Sequence, residues 1–378
     1  MKAALALLIL GMASGASNAL AATPACSGAN ETKLSWPAVD PVWEMCWLRA
    51  QHSSGPRGSG LELRDVHYRG IPLLKAAHAP LLFAEYTSGT CYRDWKDSPT
   101  SILAEPAVRN QLGTSVNFNA TTSCDRSNHP TQSYGACPFQ LPGQVSGNCF
   151  TGVAIEDRGD HVVLTHQYNA AWYSYGSRFI FYADGSFEPQ FGFGNYDGTN
   201  NGTTHWHHNY WRLDFDIDGP GNDVISQNNV VQSTEFTALR SLNGGPGGTE
   251  RVWEVRDTVT GRGYRVQPTA SDYISPTNAS GTGFHTTDVV GTIYKPGEYG
   301  DLSTNPLGSC SFSQGNLANG EDLDGVGGAG TDVVLYYRVG VRDQTGVDSM
   351  VCKEAGPVFV PFGPWGADPI FVNGFELP

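Results

Sequence analysis

Six stretches of the chain alternate apolar and polar residues or run as short apolar segments between turns. They are "HVVLTHQY", "SRFIFYADGSFEPQFGF", "HNYWRLDFDI", "ERVWEV", "TDVVLYYRVGV" and "GPVFVPF". A period of two places successive side chains on opposite faces of a strand, so each stretch reads as β structure. "YADGSF" carries the Asp-Gly of a tight hairpin. Helical periodicity is scarce. Residues 98–112, "SPTSILAEPAVRNQL", form the one fair helix candidate, and Pro106 interrupts it. No internal repeat is evident, and the glycine-rich segments at 242–250 and 319–332 read as long loops within one domain. The pattern predicts an all-β chain.

Composition agrees with many short strands joined by turns: 46 glycines, 23 prolines and only 16% charged residues. Lys2 precedes the apolar run "AALALLILGMA", and "NALAA" supplies small residues for cleavage near Ala21. This reads as a secretory signal peptide over residues 1–21, giving a secreted or periplasmic product. No later apolar run approaches the roughly 18 residues that span a bilayer, so no membrane anchor is expected. Removing Lys2 takes the formal charge from −14 to −15. So acidic a surface argues against a nucleic-acid partner and suits cations, whether metal ions or amines. The eight cysteines are Cys26, Cys46, Cys91, Cys124, Cys137, Cys149, Cys310 and Cys352. An even count in an exported chain predicts disulfides without assigning their pairing, and the absence of a CxxC spacing argues against cysteine-held zinc.

"TTHWHHNYWRLDFDIDG", residues 203–219, concentrates the candidate chemistry. Read as a strand, its odd positions are His205, His207, Asn209, Trp211, Leu213, Phe215 and Ile217. That face is largely apolar and should look into a core. The even positions, Trp206, His208, Tyr210, Arg212, Asp214 and Asp216, should form a more polar face. His205 and His207 then lie on one side, roughly 7 Å apart at Cα, close enough for two imidazoles to converge on copper, zinc, iron or nickel. Two buried histidines satisfied by hydrogen bonds are the plainer alternative. Asp214, Asp216 and Asp218 imitate the opening of a calcium-binding EF-hand, but its twelfth position is Ile225 rather than a bidentate Glu, and the context is a strand. A solvated acidic edge explains these carboxylates equally well.

The segment "GTTHWHHNYWRLDFDIDG" resembles the copper-ligand strand of copper amine oxidases. "GLELRDVHYRGIPLLKAA" is similar to the opening strands of that family's catalytic domain, and "WYSYGSRFIFYADGSF" to its NY(D/E)Y quinone segment. "GTDVVLYYRVGV" and "MVCKEAGPVFVPFGPW" resemble its late strand and closing segment. The resemblance spans roughly residues 60–365, leaving 22–59 as an N-terminal extension and 366–378 as a C-terminal tail. It implies a large β-sandwich holding copper beside topaquinone made from a tyrosine. It further implies oxidation of a small primary amine to aldehyde, ammonia and hydrogen peroxide, by a dimer built through hairpin arms.

Carried over residue by residue, the resemblance makes His205 and His207 copper ligands. It puts the third ligand at Asp343, or Arg342 one register step away, where the family has histidine. The quinone-precursor position is Tyr173, flanked by Trp172 in place of Asn and Ser174 in place of an acid. Asp94, with Asp97 nearby, is the base candidate, and the literal "GNYD" at 194–197 reads as a loop. A structural calcium would take Asp214, Phe215, Asp216, Asp332 and Val333, the phenylalanine and valine through their carbonyls. Cys124 and Cys149 have a spacing similar to the family disulfide. Three functional readings stay open: a non-catalytic metal-binding relative, an active copper and topaquinone amine oxidase, and a 2-His-1-carboxylate metalloenzyme suited to iron.

Overall fold

The computed structural model describes residues 23–48, 52–54, 60–87, 91–93, 153–170, 173–194, 203–239, 251–269, 287–297, 317–344 and 353–366. The helix candidate at 98–112, the base candidates Asp94 and Asp97, the "GNYD" loop beyond Gly194, and Cys124 and Cys149 lie outside these residues.

The first sheet is built from β1 (Thr32–Trp36), β2 (Trp43–Leu48), β3 (Glu62–Tyr68), β4 (Ile71–Tyr86) and β5 (Cys91–Arg93). The second opens with β6 (Ala154–Asp157), β7 (His161–Ala170), β8 (Tyr173–Tyr182) and β9 (Phe187–Gly194). The chain returns to the first sheet with β10 (His205–Phe215), then adds β11 (Asp223–Gln227) and β12 (Val230–Val231) to the second. β13 (Phe236–Ala238), β14 (Trp253–Asp257), β15 (Gly263–Gln267), β16 (Val289–Ile293), β17 (Val333–Asp343), β18 (Lys353–Ala355) and β19 (Val358–Phe362) complete the two layers. The first sheet runs β1-β2-β3-β4-β10-β17-β16-β13, with β5 on β4; the second runs β12-β11-β14-β15-β19-β9-β8-β7-β6, with β18 on β9. Every pairing is antiparallel. All six stretches expected as β contribute strands.

The layers meet through aromatic side chains, whose large apolar area dominates such a core. Trp211 of β10 meets Phe179 of β8 edge-on at 5.0 Å across the layers, and within the second sheet Phe187 of β9 stacks on its cross-strand neighbour Phe359 of β19 at 4.7 Å. Trp43, Tyr68 and Phe181 pack together near the start of the chain. The expected hairpin joins β8 to β9: Gly185 takes φ 94°, and the Asp184 carboxylate accepts both Ser186 N–H and Ser186 Oγ–H. Glycine is favoured there because that φ is left-handed.

Two features of this frame depart from the sequence reading. Residues 32–48, set apart as part of an N-terminal extension, form β1 and β2 of the first sheet, and Trp36 and Trp43 are buried in the main core. A disulfide between Cys26 and Cys46 ties the segment before β1 to β2. In addition, β10 is buried along its whole length, on both faces. It is a central strand, flanked by β4 and β17, and a second apolar cluster of Leu81, Phe83, Tyr210, Val334 and Tyr336 covers its even side. A solvated acidic edge survives only at Asp218, which is exposed and turns the chain with φ 61°. Among the described residues no helix is long and apolar enough to cross a membrane.

Candidate functional site

Strand alternation gives β10 its odd face toward the second sheet, and His205 and His207 share that face. Both are fully buried, with ring centroids 4.9 Å apart. His205 Nδ1 lies 2.8 Å from the Thr203 carbonyl oxygen, which can only accept, so Nδ1 carries the proton and Nε2 is the nitrogen with a lone pair. Tyr86 stacks on this ring at 4.8 Å. The β10–β17 register places Asp343 directly opposite His205, and Arg342 opposite Trp206. Asp343 Oδ2 comes within 3.6 Å of His205 Nε2, and both groups are buried.

His207 is held from the second sheet. Its Nδ1 is 2.8 Å from Tyr175 Oη of β8, and Phe193 of β9 stacks on the ring at 3.8 Å. Burial lowers the basicity of both rings. For His205 the Thr203 carbonyl and Asp343 oppose that effect; for His207 the neighbouring His205 and His208 add to it, and its pKa falls well below the ordinary value. Neutral imidazoles are the form that ligates metals.

The even face of β10 carries a separate polar chain. Arg338 Nη1 donates to His208 Nδ1 at 3.0 Å, which leaves the proton on Nε2 to donate to Glu85 at 2.9 Å. Arg338 also binds Asp288 through Nε and Nη2. Glu85, His208, Arg338 and Asp288 are all buried and belong to β4, β10, β17 and the approach to β16. The chain thus cross-links the strands whose register sets His205 against Asp343.

At the other end of β10, Asp214 and Asp216 meet Asp332, the residue before β17. One donor oxygen from each lies within 4.8 Å of the others, and among the described residues this is the one group of three acidic, histidine or cysteine donors drawn so close. His205, His207 and Asp343 do not approach as a trio to that distance. Phe215 and Val333 are directly paired between these carboxylates. Arg212 Nη1 donates to Asp214 Oδ2 at 3.1 Å, while Asp214 Oδ1 and Asp332 Oδ1 are buried with no hydrogen-bond partner among the described residues. Burial, then mutual repulsion, pushes Asp216 up to about 7 and Asp332 up to about 6. Asp223, pushed up to about 9 mainly by burial, accepts from Ile217 N–H at 3.1 Å and exchanges backbone hydrogen bonds with Thr331. It therefore joins the two chain segments that supply the cluster.

Tyr173 opens β8 opposite Ala170, and its side chain lies outside the described residues. Tyr175, Glu85, Arg338, Asp288 and Asp223 were not anticipated. Parity places His208 on the even face, but its partners Glu85 and Arg338 lie 123 and 130 positions away in the chain, and Asp288 lies 50 from Arg338.

No family model matches the sequence, and no curated protein does. Solved structures do match. A lysyl oxidase from Pichia pastoris aligns with a TM-score of 0.51 and 14% identity, covering 85% of this chain and 51% of that one. A copper-containing benzylamine oxidase from Hansenula polymorpha gives 0.57 and 14%, covering 96% and 63%. An amine oxidase from Aspergillus nidulans gives 0.50 and 15%, covering 94% and 55%. The chain thus spans between about half and three-fifths of the length of these structures. At such identity the likeness concerns fold alone, and it agrees with the fold expected from the sequence: this chain has an all-β fold like that of these amine oxidases.

Proposed function

We propose that the chain is an exported metal-binding protein of amine-oxidase fold, with a transition-metal site at His205 and His207 and a calcium site at Asp214, Asp216 and Asp332. The observation that carries the first site is the arrangement around β10. His205 is anchored at Nδ1, His207 is hydrogen-bonded at Nδ1, and Asp343 faces His205 Nε2 at 3.6 Å. Two neutral imidazoles and a carboxylate fit copper, zinc or iron, with Asp343 closing in as third donor. When bound, copper would supply one-electron redox chemistry. The calcium site is supported by the unpartnered oxygens of Asp214 and Asp332 and by an all-oxygen donor set, which the Phe215 and Val333 carbonyls would extend. Export is supported by the apolar segment after Lys2 and by the Cys26–Cys46 bridge.

In this reading the protein binds metal without oxidising amines, because Trp172, Ser174 and Asp343 replace the family's Asn, acid and histidine. Metal analysis of the purified mature protein tests it directly. Stoichiometric copper or zinc that disappears in His205→Ala and His207→Ala variants is the expected result; full occupancy in the double variant would remove the site. One observation favours an active copper and topaquinone oxidase acting on a small primary amine: a buried phenol, Tyr175, is hydrogen-bonded to His207. Aerobic copper loading followed by phenylhydrazine separates the two, since a coloured adduct on a β8 tyrosine would establish the oxidase.

A further inference from the structure

Tyr175 stands where the two sheets close on the histidine pair. It is fully buried, is paired directly with Phe193 across β8 and β9, and packs on Phe191 and Phe193 at 5.7 Å each. His207 lies on the same Phe193 ring from the opposite sheet. Tyr175 Oη and His207 Nδ1 link the two sheets in this three-ring unit through a 2.8 Å polar contact. A neutral imidazole has one N–H. When its Nε2 lone pair goes to a metal, the proton must sit on Nδ1 and needs an acceptor in this water-poor interior. A phenol oxygen is such an acceptor. It can also donate to a bare Nδ1, so the same contact serves the ring with and without a metal by exchanging donor and acceptor.

We infer that Tyr175 is a positioning residue for the metal centre: it accepts the His207 Nδ1 proton and thereby fixes Nε2 as the ligating nitrogen. The inference rests on the proposed metal role of His205 and His207. It assigns to β8 a function distinct from supplying a quinone precursor at Tyr173. Thr203 does for His205, through its carbonyl, what Tyr175 does for His207 through its hydroxyl. The hydroxyl is the more exposed to mutation, since a side chain supplies it.

The conservative variant Tyr175→Phe keeps the ring against Phe191 and Phe193 and removes only the oxygen. Zinc binding by competition with a coloured chelator should weaken about 10- to 100-fold, the range seen when outer partners of metal-bound histidines are lost. The melting temperature should fall more in the zinc-loaded than in the metal-free protein, which a purely structural role would not produce. Imidazole proton–nitrogen NMR of the zinc-loaded wild type should show the His207 proton on Nδ1, protected from exchange, and that protection should be lost in Tyr175→Phe. Unchanged affinity in Tyr175→Phe, with metal still lost in His207→Ala, would overturn the role of Tyr175 alone. Full zinc occupancy in the His205→Ala/His207→Ala double variant would overturn the metal reading itself. Should Tyr175→Phe fail to fold, the wild-type spectrum decides: a proton on Nε2 of zinc-loaded His207 overturns the inference.

Discussion

Removing the cation proposed for the Asp214–Asp216–Asp332 cluster should destabilise the protein in a way that depends on pH. In the metal-free protein Asp216 is pushed from 3.8 up to about 7 by burial and by the charges of Asp332 and Asp214, and Asp332 from 3.8 up to about 6 by burial and by the charge of Asp214. A carboxyl raised on folding holds its proton more tightly in the native state. Its contribution is therefore intact below the unfolded value and is lost as pH rises through the folded value, here between about pH 4 and pH 7. At about 1.4 kcal/mol per pH unit, Asp216 alone accounts for about 4 kcal/mol. Asp332 shares the same repulsion, so its share does not simply add. A bound divalent cation removes the penalty, because the ionised form becomes the favoured one. Differential scanning fluorimetry with EGTA against excess calcium should give nearly equal melting temperatures at pH 5. At pH 8 they should be separated by on the order of 10 °C, taking a few degrees per kcal/mol for a domain of this size. Asp216→Asn should melt above the wild type in EGTA at pH 8 and respond little to calcium. An EGTA effect of the same size at both pH values, or none at pH 8, would refute the reasoning.

Three further outcomes follow from other parts of the fold. Copper or zinc uptake by equilibrium dialysis should vanish in His205→Ala and His207→Ala and fall in Asp343→Ala, whose carboxylate lies 3.6 Å from His205 Nε2; uptake unaffected by all three would place the metal elsewhere. Arg338→Met leaves Asp288 buried without its cation and should cost about 3–5 kcal/mol in urea unfolding. Cys26→Ser/Cys46→Ser opens a loop of 20 residues and should lower stability by about 3 kcal/mol, read in the same titration.

Much of this site was legible in the sequence because a strand has a fixed period. Alternation along 205–217 put His205, His207 and Trp211 on one face, and Trp211 does meet Phe179 across the layers. Periodicity alone does not reach β17: Asp343, with Arg342 as the alternative, comes from the family resemblance, and in the fold Asp343 pairs with His205. The same period could not reveal what covers the other face. It says which side chains share a side, not whether a second layer lies there, and the covering residues Leu81, Phe83 and Tyr336 belong to neighbouring strands. Tyr175 is hidden from the sequence for a related reason. The resemblance, in register with the Asp184–Gly185 turn, points to Tyr173 as the precursor position, whereas the contact of the Tyr175 phenol with His207 follows from how two sheets stack. "TKLSW" and "WEMCWL" are too short for periodicity to declare them strands, although their tryptophans enter the core.

The composition of β10 argues for function on energetic grounds as well. A central strand buried on both sides is most stable when apolar. This one places three histidines, an arginine and an aspartate in the interior. The even-face charges are compensated by a closed chain from Glu85 through His208 and Arg338 to Asp288. Such networks commonly do no better than apolar replacements in stability, but they penalise slippage, because a one-residue shift would uncouple every partner at once. That shift would also move His205 and His207 to the opposite face and away from Asp343. Locking the register with buried charge therefore makes physical sense when the other face carries donors that must meet. The carboxylate cluster at the far end repeats the logic: Asp223 joins the segments bearing Asp216 and Asp332, yet the cluster itself is left repelling. Polar groups held in place at a cost to stability, at both ends of one strand, are the pattern expected where a fold is kept to bind ions.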